Sequence, residues 1–253
     1  MNPFDYPFLV ALVSLFSFWV SARIGGRLRH GQRKQQEGSQ GDFTLVLGGT
    51  LTLLGLIIGF TFSMAVGRYD QRKNYEEQEA NAIGTEYLRA DLLPAADSAK
   101  IRGLLRSYLE QRILFYTSRD EQQLRQINTQ TARLETEMWS GVATYASGQP
   151  TSVAAALVAA GMNDVLNSQG YTQASWWNRI PFGAWVLLIS IAIFCNLWIG
   201  YGAHPGSTSI LLMLPIALSI TIFLIADIDS PRGGVINVRP QNLRSTLESL
   251  PSP

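Results

Sequence analysis

The chain has 253 residues, 47% of them hydrophobic and 15% charged, with a formal net charge of +1 and a mean hydropathy of +0.09. Near-neutral charge excludes the bulk positive field with which a protein holds nucleic acid, and it gives an acidic partner no field either. The single cysteine, Cys195, excludes an intrachain disulfide.

Four apolar stretches carry no charge inside them: Phe8–Ala22, Phe43–Val66, Phe182–Tyr201 and Ser209–Ala226. At ~1.5 Å per residue a helix of about 20 residues spans ~30 Å, the thickness of a bilayer's hydrocarbon core. Helices of soluble proteins rarely stay apolar all round for that length. The chain therefore reads as an all-α membrane protein, with four transmembrane helices and a helical-bundle extramembrane domain between spans two and three. Its expected divisions are a first transmembrane hairpin at 1–66, with spans 8–24 and 43–66, and an extramembrane helical domain at 67–180 continuous with spans two and three. A second hairpin at 181–226 and a C-terminal tail at 227–253 complete it.

Taken in chain order, Met1–Pro7 holds no Lys or Arg, unlike the basic start of a cleavable signal. Arg23, Arg27, Arg29, Arg33 and Lys34 follow the first span, opposed only by Glu37 and Asp42. That asymmetry places the first loop in the cytoplasm and the N-terminus outside, and an even number of spans then puts the helical domain and the tail outside as well. Arg68, Arg72 and Lys73, beyond the second span, weigh in the other direction.

The second span shows no stop at the membrane surface. Helical spacing continues through Tyr69, Lys73, Glu76, Ala80, Ile83 and Tyr87 until Pro94 ends it. One helix of roughly 50 residues, about 75 Å long, is expected, half in lipid and half in water. Its run Glu76, Glu77, Glu79 reads as a solvated face, with Lys73–Glu77 a minor helix pair. Asp97 or Ser98 is expected to cap the next helix, whose stripe is Ile101, Leu104, Leu105, Tyr108, Leu109 and Phe115.

A third helix carries Leu124, Ile127, Thr131, Leu134, Met138, Val142 and Tyr145 in alternating steps of three and four, the seam of an antiparallel bundle or a coiled coil. After Gly148–Pro150, Thr151 opens a fourth helix toward Trp176, Trp177 and Arg179, residues that suit a membrane interface where span three begins. Pro215 is expected to kink the fourth span. In the tail, Val235–Val238 allows a short strand and Gln241–Leu250 a short helix.

The second span has a row of small residues on one side: Gly48, Thr52, Gly55, Gly59, Ser63 and Gly67, spaced four, three, four, four and four apart. Such rows let helix backbones approach closely in lipid. The row serves either helix packing, within one subunit or a dimer, or the lining of a central axis in an oligomer, with Phe60 and Phe62 near a constriction that can gate by dewetting. No ionisable residue lies inside any span, which excludes intramembrane proton relays and voltage sensors of the usual kind. Asn196, the costliest intramembrane polar group to bury, is expected to bond across helices.

At the end of the last span, Asp227 and Asp229 are in position for surface ion pairs with Arg68 and Arg72. A divalent-cation site completed by Glu76 or Glu77 is the alternative, but calcium needs more oxygens than two aspartates supply. No metal site or cofactor is expected. The two histidines, His30 and His204, stand apart from any Cys or carboxylate pair, and no zinc spacing, phosphate-cradling glycine loop or nucleophile elbow occurs, so the chain does not read as an enzyme.

Several stretches together resemble a bacterial membrane-protein family of unknown function called bestrophin-like. They are GFTFSMAVGRYDQRKNYEEQEANAIGTEYLRADLLP at Gly59–Pro94, Met162-Asn163-Asp164-Val165, Asn178-Arg179-Ile180-Pro181 and ADIDSPRGGVINVRPQNL at Ala226–Leu243. The resemblance implies a multi-pass protein of the bacterial inner membrane. Through bestrophins, pentameric anion channels with four spans and a helical domain between spans two and three, it also implies a homo-oligomer with the second span at the pore. Gly55, Gly59, Phe60, Phe62 and Ser63 would then line it. The calcium-binding acidic run that follows the last span of bestrophins is reduced here to Asp227 and Asp229, and bestrophin topology would put the helical domain in the cytoplasm.

Two functions follow as expectations: a channel-like oligomer for small anions, or a non-conducting membrane scaffold or sensor whose helical domain binds a protein partner. Orientation is testable directly. In a Cys195→Ser background, cysteines at Ser118 and Gln36 should label from opposite sides of intact cells, Ser118 from outside. Labelling of Gln36 from outside would reverse the orientation.

Overall fold

The computed structural model describes residues 5–30, 40–203 and 208–251. The loop bearing Arg33, Lys34, Gln36 and Glu37, and His204 with its neighbours, lie outside the described residues. Eight α-helices are described: α1 (Pro7–His30), α2 (Gln40–Arg89), α3 (Ala95–Thr117), α4 (Glu121–Gly148), α5 (Val153–Trp177), α6 (Phe182–Gly202), α7 (Thr208–Asp229) and α8 (Gln241–Ser249). Four stretches are long and apolar enough to cross a membrane, carried by α1, α2, α6 and α7.

Local chemistry accounts for most of the boundaries. Helix α2 contains no proline and runs for 50 residues, as its spacing requires, before a short 3-10 turn at Ala90–Leu92. Pro94 does more than end it. It is the N-cap of α3, so Asp97 lies in the first turn, where a carboxylate suits the helix dipole, rather than at the cap. The Asp120 carboxylate caps α4 by accepting from the N–H groups of Gln122 and Gln123, and Ser152 caps α5 through the N–H of Ala155.

The third span is not continuous with the helical domain. Helix α5 stops at Trp177, and α6 begins only after Pro181, which has no N–H to donate and turns the preceding residue away from helical conformation. Helix α7 stays helical through Pro215, whose carbonyl accepts the Ser219 hydroxyl at 2.7 Å. Among the described residues there is no strand at Val235–Val238. The N–H groups of Val235 and Ile236 go to the Asp227 carboxylate, both at 2.8 Å, instead of to a ladder.

The chain forms two compact units. One comprises Met1–Tyr69 and Arg179–Asn237, the other Asp70–Asn178 and Val238–Pro253, so the tail is divided between them. The membrane unit has a core of Phe18, Leu54, Ala65, Trp185, Leu188, Ala192, Cys195, Ile222 and Ile225. Helices α1 and α6 touch backbone to backbone in it. A methyl on Gly25 would overlap the Leu197 carbonyl, and one on Gly200 would overlap that of Ala22. The Ser21 hydroxyl donates to the Ile193 carbonyl at 2.8 Å across the same crossing. Asn196 does not bond across helices as expected. Its amide folds back on the Ala192 carbonyl of its own helix at 2.7 Å, which satisfies the donor without a partner span.

In the helical unit, the α4 seam Ile127, Thr131, Leu134, Met138 and Val142 is buried, with α3 and α5 packed against it. Helix α8 has no side-chain cap of its own at Pro240. Glu76 of α2 caps it instead, accepting from the Leu243 N–H at 3.0 Å and from Asn242 Nδ2 at 2.6 Å.

The crossing of α1 and α6 predicts a contrast between two glycines. Gly200→Ala should lower the stability of the detergent-solubilised protein by about 1–3 kcal/mol, because the added methyl meets rigid backbone. Gly103→Ala, on an open face of α3, should raise it by up to ~1 kcal/mol. Denaturant unfolding of the two variants beside the parent chain checks both.

Candidate functional site

Helix α2 divides its surface sharply within the membrane unit. Leu54, Thr61 and Ala65 are buried, with Leu51, Ile57, Ile58, Val66 and Tyr69 partly buried against the same core. Gly48, Thr52, Gly55, Gly59, Phe60, Phe62, Ser63 and Gly67 are exposed on the remaining surface. Among the described residues, nothing lies within 4 Å of a methyl placed on Gly48, Gly55, Gly59 or Gly67. No described residue of the same subunit packs against these glycines, which leaves packing between copies or the lining of an axis as the uses proposed for the row. The helix-to-helix backbone approaches that glycine permits in the membrane unit are at Gly25 and Gly200.

The face is compatible with an apolar setting. The Thr52 hydroxyl donates back to the Gly48 carbonyl at 2.9 Å, so it presents no unsatisfied donor. Phe60, 62% exposed, and Phe62, 40% exposed, stand beside the small-residue row, and Leu45, Leu53, Leu56 and Met64 are exposed on the same helix.

At the end of α7, both aspartates are buried and engaged by donors of their own unit. Asp227 closes the turn of residues 230–236 through Val235 and Ile236, and a methyl on Gly234 would overlap its carboxylate. Asp229 accepts from Arg179 Nε at 3.2 Å and from the Ile180 N–H at 3.1 Å. Arg179 also reaches Asp5, Nη2 to Oδ1 at 2.7 Å. The sequence reading offered Arg68 and Arg72 as cations for these aspartates and missed Arg179. The signal for Arg179 was its place one residue ahead of the Ile-Pro pair that opens span three. Arg68 is half-buried and Arg72 is 2% exposed. A resident calcium ion does not fit this end of the chain, because N–H donors take up the oxygens of both aspartates. Among the described residues, no three His, Cys, Asp or Glu side chains converge on a metal position.

A family model described as Bestrophin-like domain matches residues 8–243. The chain belongs to the Bestrophin-like family. Its fold is similar to that of a bacterial Bestrophin homolog from Klebsiella pneumoniae in several crystal structures. The zinc-phased structure matches with a TM-score of 0.64 at 14% identity, over 96% of this chain and 99% of that one. One single-substitution variant matches with a TM-score of 0.65 at 14% identity, over 96% and 95%. Another gives 0.64 at 15% identity, over 94% and 99%. At these identities the likeness is one of fold. No curated relative matches the chain.

The helical unit of this Bestrophin-like chain hides charges where a solvated face was expected. Glu77 is exposed, but Glu76 and Glu79 are 1% and 0% exposed because partners distant in sequence claim them. Glu79 pairs with Arg112 of α3, whose side chain is also fully buried, and accepts from Thr172 Oγ1 at 2.9 Å and from the Tyr116 hydroxyl at 3.5 Å. The Arg112 guanidinium lies over the Phe115 ring, 4.5 Å from its centroid. Trp176, expected at a membrane interface, is buried against Phe115 and Tyr116 at 5.0 and 5.4 Å, while Trp177 remains exposed.

Burial dominates the acid–base chemistry of this cluster. It pushes the Tyr108 and Tyr116 phenols well above their ordinary range, and the Glu79 charge adds to the shift. It also raises Glu135, although Arg112 and the Tyr108 hydroxyl pull that group back. For Arg112, burial alone favours the neutral form, but the attraction of Glu79 outweighs it and the guanidinium stays charged.

Arg112→Met should destabilise the helical unit by about 3–5 kcal/mol, because it strands the Glu79 carboxylate in a buried site. Arg112→Met with Glu79→Gln should recover much of that loss. Thermal unfolding followed by circular dichroism on the full chain measures both.

Proposed function

We propose that this chain is the subunit of an oligomeric membrane channel for small anions, with the small-residue face of α2 along the conducting path. The observation that carries this reading is the open row from Gly48 to Gly67, which no described residue of the same subunit covers. In an oligomer the row would either bring copies of α2 close together or border a central path, and the exposed Phe60 and Phe62 beside Gly59 would supply an apolar constriction that gates by dewetting. Membership of the Bestrophin-like family supports the same reading. No side chain from Phe43 to Val66 is charged, so selectivity in such a path would rest on backbone, hydroxyl and ring edges rather than on fixed charges. Family membership supports a place in the bacterial inner membrane, and the charges flanking the first span favour an N-terminus and helical unit outside.

The alternative, a non-conducting scaffold or sensor whose helical unit binds a partner, drew on the heptad seam of α4. That seam is buried within its own unit, which leaves it no free face to offer. The test is halide efflux from liposomes containing the purified protein, run beside Gly59→Leu. Efflux that falls in the variant supports a path along α2. Equal efflux from both proteins moves the path elsewhere, and no efflux from the parent chain returns the weight to the scaffold reading.

A further inference from the structure

Helix α2 buries three carboxylates in the helical unit, at Glu76, Glu79 and Glu86. The first two have donors. Glu86 is 0% exposed, and neither of its carboxylate oxygens has a hydrogen-bond partner among the described residues. An isolated buried carboxylate is among the costliest groups a fold can hold, and the usual relief is to keep it neutral.

The surroundings of Glu86 show why it is tolerated. It lies against Gly161 of α5, close enough that a methyl there would overlap both Glu86 Oε2 and Arg89 Nη1. The carboxyl therefore fills the notch that the glycine leaves in α5. The charged groups facing it are Arg89 on its own helix and Asp164 on α5. Asp91, on the following 3-10 turn, is paired with Arg102 of α3. Burial favours the neutral acid most strongly, Arg89 pulls the other way and Asp164 adds to the burial, leaving Glu86 raised from 4.5 to about 8.

We propose that Glu86 is a proton-operated wedge between α2 and α5. Protonated, it seats on Gly161 and holds the two helices together; ionised, it draws in water or the Arg89 guanidinium and loosens the contact. The inference concerns the helical unit and does not depend on conduction. An acid whose pKa is higher folded than unfolded binds its proton more tightly in the native state, so it stabilises the fold most at low pH. The contact is tightest below the ordinary Glu range and weakens as pH rises to about 8, with no further loss above that.

Hydrogen exchange of the α5 amides flanking Gly161, measured on the full chain in detergent, tests this. Wild type, Glu86→Gln and Asp164→Lys are compared at each pH from about 5 to 9, so that the intrinsic pH dependence of exchange cancels. Opening in wild type relative to Glu86→Gln should grow on the order of tenfold per pH unit up to about pH 8 and then level off. In Asp164→Lys, an exposed site whose new charge favours the ionised acid, the plateau should begin at lower pH. A wild-type-to-Glu86→Gln ratio that stays flat across the range overturns the proposal. If Glu86→Gln does not fold, an identical pH dependence in wild type and Asp164→Lys overturns it instead.

Discussion

One stripe of helix α2 is buried along most of its length, and the rest of the molecule is organised by what that stripe requires. Leu54, Thr61 and Ala65 carry it in the membrane unit; Arg72, Glu76, Glu79, Ile83 and Glu86 carry it in the helical unit. The spacing is helical throughout, but the chemistry changes from apolar to charged. Apolar side chains are satisfied by any apolar neighbour, so the membrane unit needs only bulk and close packing. Buried carboxylates need donors placed to within a few tenths of an ångström. That demand explains why α3, α5 and α8 each contribute a specific polar group to α2: Arg112, Thr172 and the amide end at Asn242 and Leu243.

The opposite surface of α2 shows the complementary situation. Glycines used for helix contact inside this chain can be recognised because a methyl would strike backbone, as at Gly25 and Gly200. Gly48, Gly55, Gly59 and Gly67 of α2 do not meet that criterion, and no described residue of the same subunit accounts for their helical regularity. Glycine is also a poor helix former, weaker than alanine by about 1 kcal/mol per residue. Several of them on one exposed face are costly unless bare backbone is what that face must present.

Much of this was legible in the sequence, for identifiable reasons. The four spans follow from length and the absence of charge. The length of α2 follows from helical spacing that runs on to Pro94 with no breaker. The α4 seam follows from alternating threes and fours, and Ile127, Thr131, Leu134, Met138 and Val142 are all buried as that pattern requires. The fate of the acids was not legible. Glu76 and Glu79 are three residues apart on a helix, which is equally the pattern of a solvated face, and the groups that bury them lie up to 167 residues away. One clue was present: Arg112 falls four residues after Tyr108 and three before Phe115, squarely on the apolar stripe of α3. A cation in that register needs a buried anion. The break before span three was also readable from Pro181, but the tryptophans beside it suggested a membrane interface and masked the stop.

The cap that Glu76 gives to α8 bears on how the protein is made. Glu76 emerges from the ribosome 166 residues before Asn242, the donor that satisfies it. At typical elongation rates that interval is on the order of ten to thirty seconds. Throughout it the carboxylate has neither Asn242 nor the Leu243 amide to hold it. Burial of this acid thus becomes favourable only when the last helix arrives, and both remaining spans have been synthesised by then. The helical unit is begun early but gains its last cap only at the end of synthesis, so a chain truncated before residue 242 would leave Glu76 without the donors that satisfy it.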